Sequence, residues 1–167
     1  MQQAIMGKEK ILMFRRLADT KIKNASKLAL QVTHTLKYER EQDIQQTKDG
    51  GIVIGGGLEC ELELEAVSTR DELNEMLEKS VINDEKLECW EIDLKAEKDE
   101  QGRYKAKYMQ GNLTDWEIPS DVEEVTTLTT TFKIDDKPKD GYATLTEEQE
   151  QQITYAFRDT TPYKEEV

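Results

Sequence analysis

Residues 58–66 read Leu58-Glu59-Cys60-Glu61-Leu62-Glu63-Leu64-Glu65-Ala66. Successive side chains of a strand point to opposite faces. Leu58, Cys60, Leu62, Leu64 and Ala66 therefore share one face, and Glu59, Glu61, Glu63 and Glu65 share the other. Four carboxylates on one side of a strand are tolerable only where that side meets water. The stretch predicts a strand in an antiparallel sheet, with one face on a core and the other in solvent.

The same alternation precedes it. Leu28, Leu30, Val32, His34, Leu36 and Tyr38 fall on one face of a second long strand, with Ala29, Gln31, Thr33, Thr35 and Lys37 on the other. Between the two lies 39–57, polar at first, then Asp49-Gly50-Gly51, Ile52-Val53-Ile54 and Gly55-Gly56-Gly57. Connections of this length in compact domains are functional or disordered. The flanking strands predict an extended inter-strand arm at the tip of a hairpin, with Ile52, Val53 and Ile54 as the apolar residues it offers to a partner.

Further strands are predicted at Ile11–Phe14, at 86–95 with Trp90, Ile92 and Leu94 on one side, at 104–118 with a break near Gly111, at 124–135, and at 153–159. The polar stretch 19–27 is expected to be a connection. Thr69-Arg70-Asp71-Glu72 has the pattern of a capping box, and Leu73, Met76, Leu77 and Val81 follow at helical spacing. Thr146-Glu147-Glu148-Gln149 is a second such box, opening a short helix. The sum is a single, mainly β domain over 1–167: a β-sandwich or barrel with a flanking α-helix.

Composition narrows the function. The chain carries 36% hydrophobic and 35% charged residues and a net charge of −13, so its core is thin and its surface strongly acidic. Residues 1–40 hold nine Lys/Arg against three Asp/Glu, a balance of +6, which leaves −19 for the remainder. Asymmetry of this kind suggests that different partners meet the two parts. Static duplex binding needs a basic stripe that the chain lacks. No apolar run approaches the roughly 18 residues of a membrane span, and the N-terminus lacks a signal pattern. Cys60 and Cys89 are expected to be reduced, small core residues.

Catalytic chemistry is not legible. His34 is the single histidine and shares its face with apolar residues. Ligand count excludes a zinc site. Glycines 50–57 lead into a strand, whereas a phosphate cradle opens a helix. An oxygen-ligand cation site on the glutamate row is the one metal alternative. No catalytic, cofactor-binding or metal residue is assigned. Two readings remain: a structural assembly protein, and a monomeric β-sandwich module binding a small ligand or carbohydrate. The second wants clustered exposed aromatics, and Phe, Trp and Tyr make up only 7% of the chain.

The order of pieces resembles the major tail (tail tube) protein of long, non-contractile-tailed phages of Gram-positive hosts. The resemblance is carried by Gln3-Ala4-Ile5, Gly7-Lys8, Ile11-Leu12-Met13-Phe14-Arg15, Thr47-Lys48-Asp49-Gly50 and Gly56-Gly57-Leu58-Glu59. It continues through Leu87-Glu88-Cys89-Trp90-Glu91-Ile92, Ala106-Lys107-Tyr108-Met109-Gln110-Gly111 and Gly141-Tyr142-Ala143-Thr144-Leu145-Thr146-Glu147-Glu148-Gln149. It implies a virion protein with no enzymatic activity and no cofactor, assembled in the host cytoplasm without a membrane. Its subunits would form hexameric rings that stack into a tube for DNA ejection. Partners would be other copies of the chain, with tape-measure, tail-terminator and baseplate proteins, and DNA would pass without specific binding. Glu59, Glu61, Glu63 and Glu65 are the candidates to line the lumen. Ile52, Val53 and Ile54 are the candidates for inter-ring contact. The C-terminal tail, 160–167, matches no part of the pattern.

Overall fold

A computed structural model of the chain describes residues 2–122, 125–153, 158 and 160–162. Its strands are β1 (Lys10–Arg16), β2 (Ser26–Lys27), β3 (Gln31–Thr47), β4 (Gly50–Val67), β5 (Leu87–Asp93), β6 (Tyr104–Leu113), β7 (Thr127–Ile134) and β8 (Lys139–Ala143). The helices are α1 (Glu72–Ile82) and α2 (Glu147–Ile153). The strands form one antiparallel sheet in the order β2-β1-β5-β6-β7-β4-β3, with β8 added to β6.

The turning point is β6. Along Tyr104–Tyr108 its second edge pairs with β8; along Gly111–Leu113 it pairs with β7. The sheet folds over there, and β1, β5 and β6 come to lie against β7, β4 and β3. Leu12, Phe14, Cys89 and Met109 from one layer meet Leu62, Leu64, Leu128 and Phe132 from the other. The Phe14 and Phe132 rings cross the core edge to face, 6.1 Å between centroids, a favoured aromatic geometry. Gly111 permits the fold-over, because a Cβ there would collide with the Lys133 carbonyl oxygen. The sequence-based break at Gly111 is therefore corrected: the strand runs on through it, and glycine serves close backbone approach rather than interruption.

The helix α1 adds Leu73 and Leu77 to the same core, with Met76 and Val81 at its border. Its N-cap is Asp71, whose Oδ1 accepts from the Asn74 N–H at 2.8 Å; Thr69 instead donates its hydroxyl to Asp71. The cap thus sits two residues later than the Thr69 box implies. At α2 the box forms as written: Gln149 N–H donates to Thr146 Oγ1 and Thr146 N–H to Gln149 Oε1. The arrangement is the mainly β sandwich with a flanking helix expected from the sequence.

Other elements differ. The second strand begins at Gln31 rather than at residue 28, because Leu30 turns into the left-handed region (φ 51°) and Val32 is bulged between the Gln31 and Thr33 pairs. Leu30 and Val32 consequently leave the core face and stand exposed. The stretch 19–27 contains the buried Asp19, tied to Arg16, and the two-residue β2. The final strand proposed for 153–159 lies largely outside the described residues; Ile153 itself ends α2.

Candidate assembly surfaces

On β4 the alternation of apolar and acidic residues is realised in space. Cys60, Leu62, Leu64 and Ala66 are buried, while Glu59, Glu61, Glu63 and Glu65 lie on the opposite, solvent-facing side. The register assigns each glutamate its neighbours. Glu65 sits between Thr33 and Thr129, Glu63 between Thr35 and Thr131, and Glu61 between Lys37 and Lys133. The row is thus a carboxylate ridge flanked by threonines and locally neutralised at one level. Lys133 donates to Glu61, which holds that carboxyl below its usual pKa and raises the Lys133 ammonium. Sequence alternation shows the ridge but misses the two lysines, which come from strands far apart in the chain.

The arm over 39–57 is not a loop. The β3–β4 ladder continues from Gln42↔Gly55 to Thr47↔Gly50, and closes over Lys48-Asp49 with Gly50 at φ 115°. A bulge separates this outer ladder from the sheet: Glu41 lies opposite the Gly56–Gly57 pair, and Arg40 donates to the Gly56 carbonyl at 3.0 Å. A Cβ on Gly56 would lie 2.5 Å from the Glu41 carbonyl oxygen, so the bulge requires glycine there. The ladder splits the three predicted apolar residues. Val53 faces the same side as Ile44, its register partner, while Ile52 and Ile54 face the other side with Asp43 and Gln45. All four are exposed; Ile44 has 68% and Val53 63% of its surface in solvent. Ile44 went unnoticed in the sequence because it stands alone among polar residues.

A third surface opens between the two edges of the folded sheet. It is a cleft of about 830 Å3 running along the outer edge of β3 toward the N-terminal segment. Ile11 and Leu36 form part of its wall, Leu30 and Val32 stand at its mouth, and Lys8 and Lys27 flank it. At its polar end, His34 Nε2 meets Glu91 Oε2 at 2.8 Å, with Lys10 Nζ 3.7 Å from the other oxygen. Burial raises the Glu91 pKa, but the His34 bond and the charges of Lys10, His34 and Lys107 outweigh it, leaving the carboxyl below its ordinary value. This pair links β3 to β5 across the sandwich. His34 is thus a buried, partnered side chain.

The remaining candidates are internal. Trp90 meets the Arg15 guanidinium at 5.0 Å and the Tyr108 ring at 5.2 Å, and Trp116 lies against the main core. Cys60 and Cys89 are buried and unbridged, and burial pushes the Cys89 thiol well up. No group of three or more His, Cys, Asp or Glu side chains suited to a metal occurs among the described residues. No described helix is long and apolar enough to cross a membrane.

Comparison with known proteins identifies the family and the fold. No curated protein sequence matches the chain. Among solved structures, the tail tube of phage SPP1 superposes with a TM-score of 0.74 at 19% identity, over 98% of this chain and 91% of that one. The tail of an empty gene transfer agent particle, refined with C6 symmetry, gives 0.63 at 11% identity, over 84% and 100%. A chain of the anti-feeding prophage baseplate gives 0.58 at 11%, over 84% and 97%. At these identities the likeness is one of fold. The family model of phage tail tube proteins matches residues 4–140, and the chain belongs to that family.

Proposed function

We propose that this structural tail protein assembles into hexameric rings that stack into a hollow tube, the conduit through which the genome leaves the virion. The observation that carries the reading is the outer ladder of β3 and β4, a ribbon with large apolar side chains exposed on both faces. A two-stranded ribbon alone in water is marginally stable, and exposed apolar surface of this kind marks an interaction site. From Gln42 to Thr47 the ribbon extends roughly 20 Å at about 3.4 Å per residue, a useful reach toward a neighbouring ring. Its role here is inter-ring contact through Ile44, Ile52, Val53 and Ile54.

The Glu59–Glu65 ridge is assigned to the lumen. A wall of carboxylates and threonine hydroxyls repels phosphates, and its lysines are already engaged by glutamates, so DNA finds no anchoring cation. Screening confines the field to about 8 Å from the wall at physiological salt. Tape-measure, tail-terminator and baseplate proteins are the expected partners at the bore and ends of such a tube. Negative-stain microscopy of the purified chain at high concentration tests the reading: rings or tubes with a central channel are expected. A strictly monomeric protein at all concentrations, alone and with the tail partners, would contradict it.

A further inference from the structure

We infer that the cleft mouth at Leu30 and Val32 is the receptor for the arm of a second copy of this chain, and that the Ile44–Val53 face of the arm seats there. The inference rests on the tube reading and adds to it the surface on which the arm docks. Four observations meet at this place. Leu30 holds an apolar side chain 60% exposed while its backbone sits at φ 51°, a left-handed conformation that disfavours a leucine. The Leu30 carbonyl accepts from the Val67 N–H at 3.0 Å, so this turn is locked to the sheet. Strain that survives in a fixed turn points to a use for the side chain it presents. Val32, bulged out beside it, adds a second exposed apolar side chain at the cleft mouth.

The second observation is electrostatic. Lys8 and Lys27 border the cleft and have no ion-pair partner among the described residues. Residues 39–57 carry four carboxylates (Glu39, Glu41, Asp43 and Asp49) against two cations (Arg40 and Lys48). An acidic arm suits a lysine-flanked groove, and complementary charge of this kind sets register and speeds encounter. The third is the arm's own chemistry. Its Ile44–Val53 face carries only Gln42, Gln46 and glycines besides, so no charge on that face need be desolvated on docking. Gly51 leaves room beside Ile44, because a Cβ there would stand 3.0 Å from Ile44 Cγ2. The fourth is topology. The cleft and the arm belong to opposite ends of the same strand, so identical subunits joined arm to cleft make a head-to-tail contact. Such heterologous contacts either close into a ring or propagate along an axis, and an arm that reaches out of its own ring takes the second course.

Paired cysteines test this directly. Leu30→Cys in one preparation and Val53→Cys in another are mixed, assembled and mildly oxidised, with the buried native cysteines left in place. Covalent dimers are expected in tubes and not in dissociated subunits. Tubes that form normally without such dimers overturn the docking surface while leaving the tube reading intact. A chain carrying both substitutions that closes on itself equally well before assembly shows the cleft filled from within, which also overturns it. An unsubstituted chain that forms no tubes fails the tube reading and takes this inference with it. A charge swap covers the case in which the cysteine variants misfold. Lys8→Glu with Lys27→Glu should shorten tubes at least tenfold, and Asp49→Lys at the arm's tip in the same chain should restore them at least in part. Absence of both effects overturns the proposal.

Discussion

The inner and outer halves of the β3–β4 hairpin share two strands and one ladder, yet they are built on different terms. In the inner half, β4 is paired on both sides, by β3 and by β7, and Leu62 and Leu64 are 0% and 3% exposed. In the outer half the ribbon has no third strand among the described residues, and Ile44, Ile52, Val53 and Ile54 face water on both sides. The inner half is completed by its own chain. The outer half is left uncovered by the described residues, and its proposed cover is another copy. A bulge with an obligatory glycine separates the two, so the arm can be aimed without disturbing the core.

Core truncation gives the largest contrast. Leu62→Ala should cost about 2–5 kcal/mol, the range for emptying a buried leucine site, and lower the melting temperature of the isolated subunit. Val53→Ala with Ile44→Ala should leave that melting temperature within about a degree while shortening or abolishing tubes. A large loss of subunit stability from the arm pair would erase the distinction between the halves.

Glycine substitutions sharpen the boundary. Gly111→Ala pushes a methyl group into the Lys133 carbonyl at the sheet's fold-over, and should destabilise the subunit by about 1–3 kcal/mol, as overpacking does. Gly56→Ala strains only the bulge against Glu41, so its effect should appear in assembly before it appears in melting. Gly55→Ala and Gly57→Ala, which meet nothing within 4 Å, should be mild in both assays. Equal effects at Gly55, Gly56 and Gly57 would show that the bulge does not aim the arm.

A smaller effect is expected from pH. Glu91 and Glu88 both titrate below their ordinary value: burial raises each pKa, and hydrogen bonds from His34 to Glu91, and from Arg15, Tyr108 and Thr20 to Glu88, outweigh it. A depressed folded pKa gives stability that is present above the unfolded value and lost as pH falls through the folded one. Melting temperature should therefore hold through neutral pH and fall below about 4.3, the ordinary glutamate value. Glu91→Gln should flatten that acid limb. An unchanged limb would show that the His34–Glu91 link contributes little to the joining of the layers. The smallest stability effect belongs to the ridge. Replacing Glu59, Glu61, Glu63 and Glu65 by lysine should leave the subunit folded but impair genome ejection from assembled virions. Normal infectivity would remove the ridge from the lumen.

What the sequence discloses follows from how locally each feature is encoded. Alternation over 58–66 and the apolar stripe of α1 depend on neighbours a few residues away, and both recur in the fold as read. The extended ladder of 42–55 is less legible. Gln, Glu and Asp have little strand propensity, and Ile44 gains meaning only from a partner nine residues on. The burial of Glu88 and Glu91 is not legible locally, because the Arg15 and His34 that partner them arrive from other strands. Likewise, Leu30 and Val32 fit a core alternation that a positive φ and a bulge then break. Such breaks are invisible to a count of apolar positions, and they supply the proposed docking surface.

Amide hydrogen exchange across the hairpin, in unassembled subunit and in tube, tests the central claim most directly. Amides of the inner half (33–38 and 60–66) should be slow in both states, because the chain's own core protects them. Those of the outer half (42–47 and 50–55) should exchange quickly in the subunit and slow by at least a hundredfold in the tube. Equal exchange of the outer half in the two states would show that no neighbouring copy completes it, and would contradict the account.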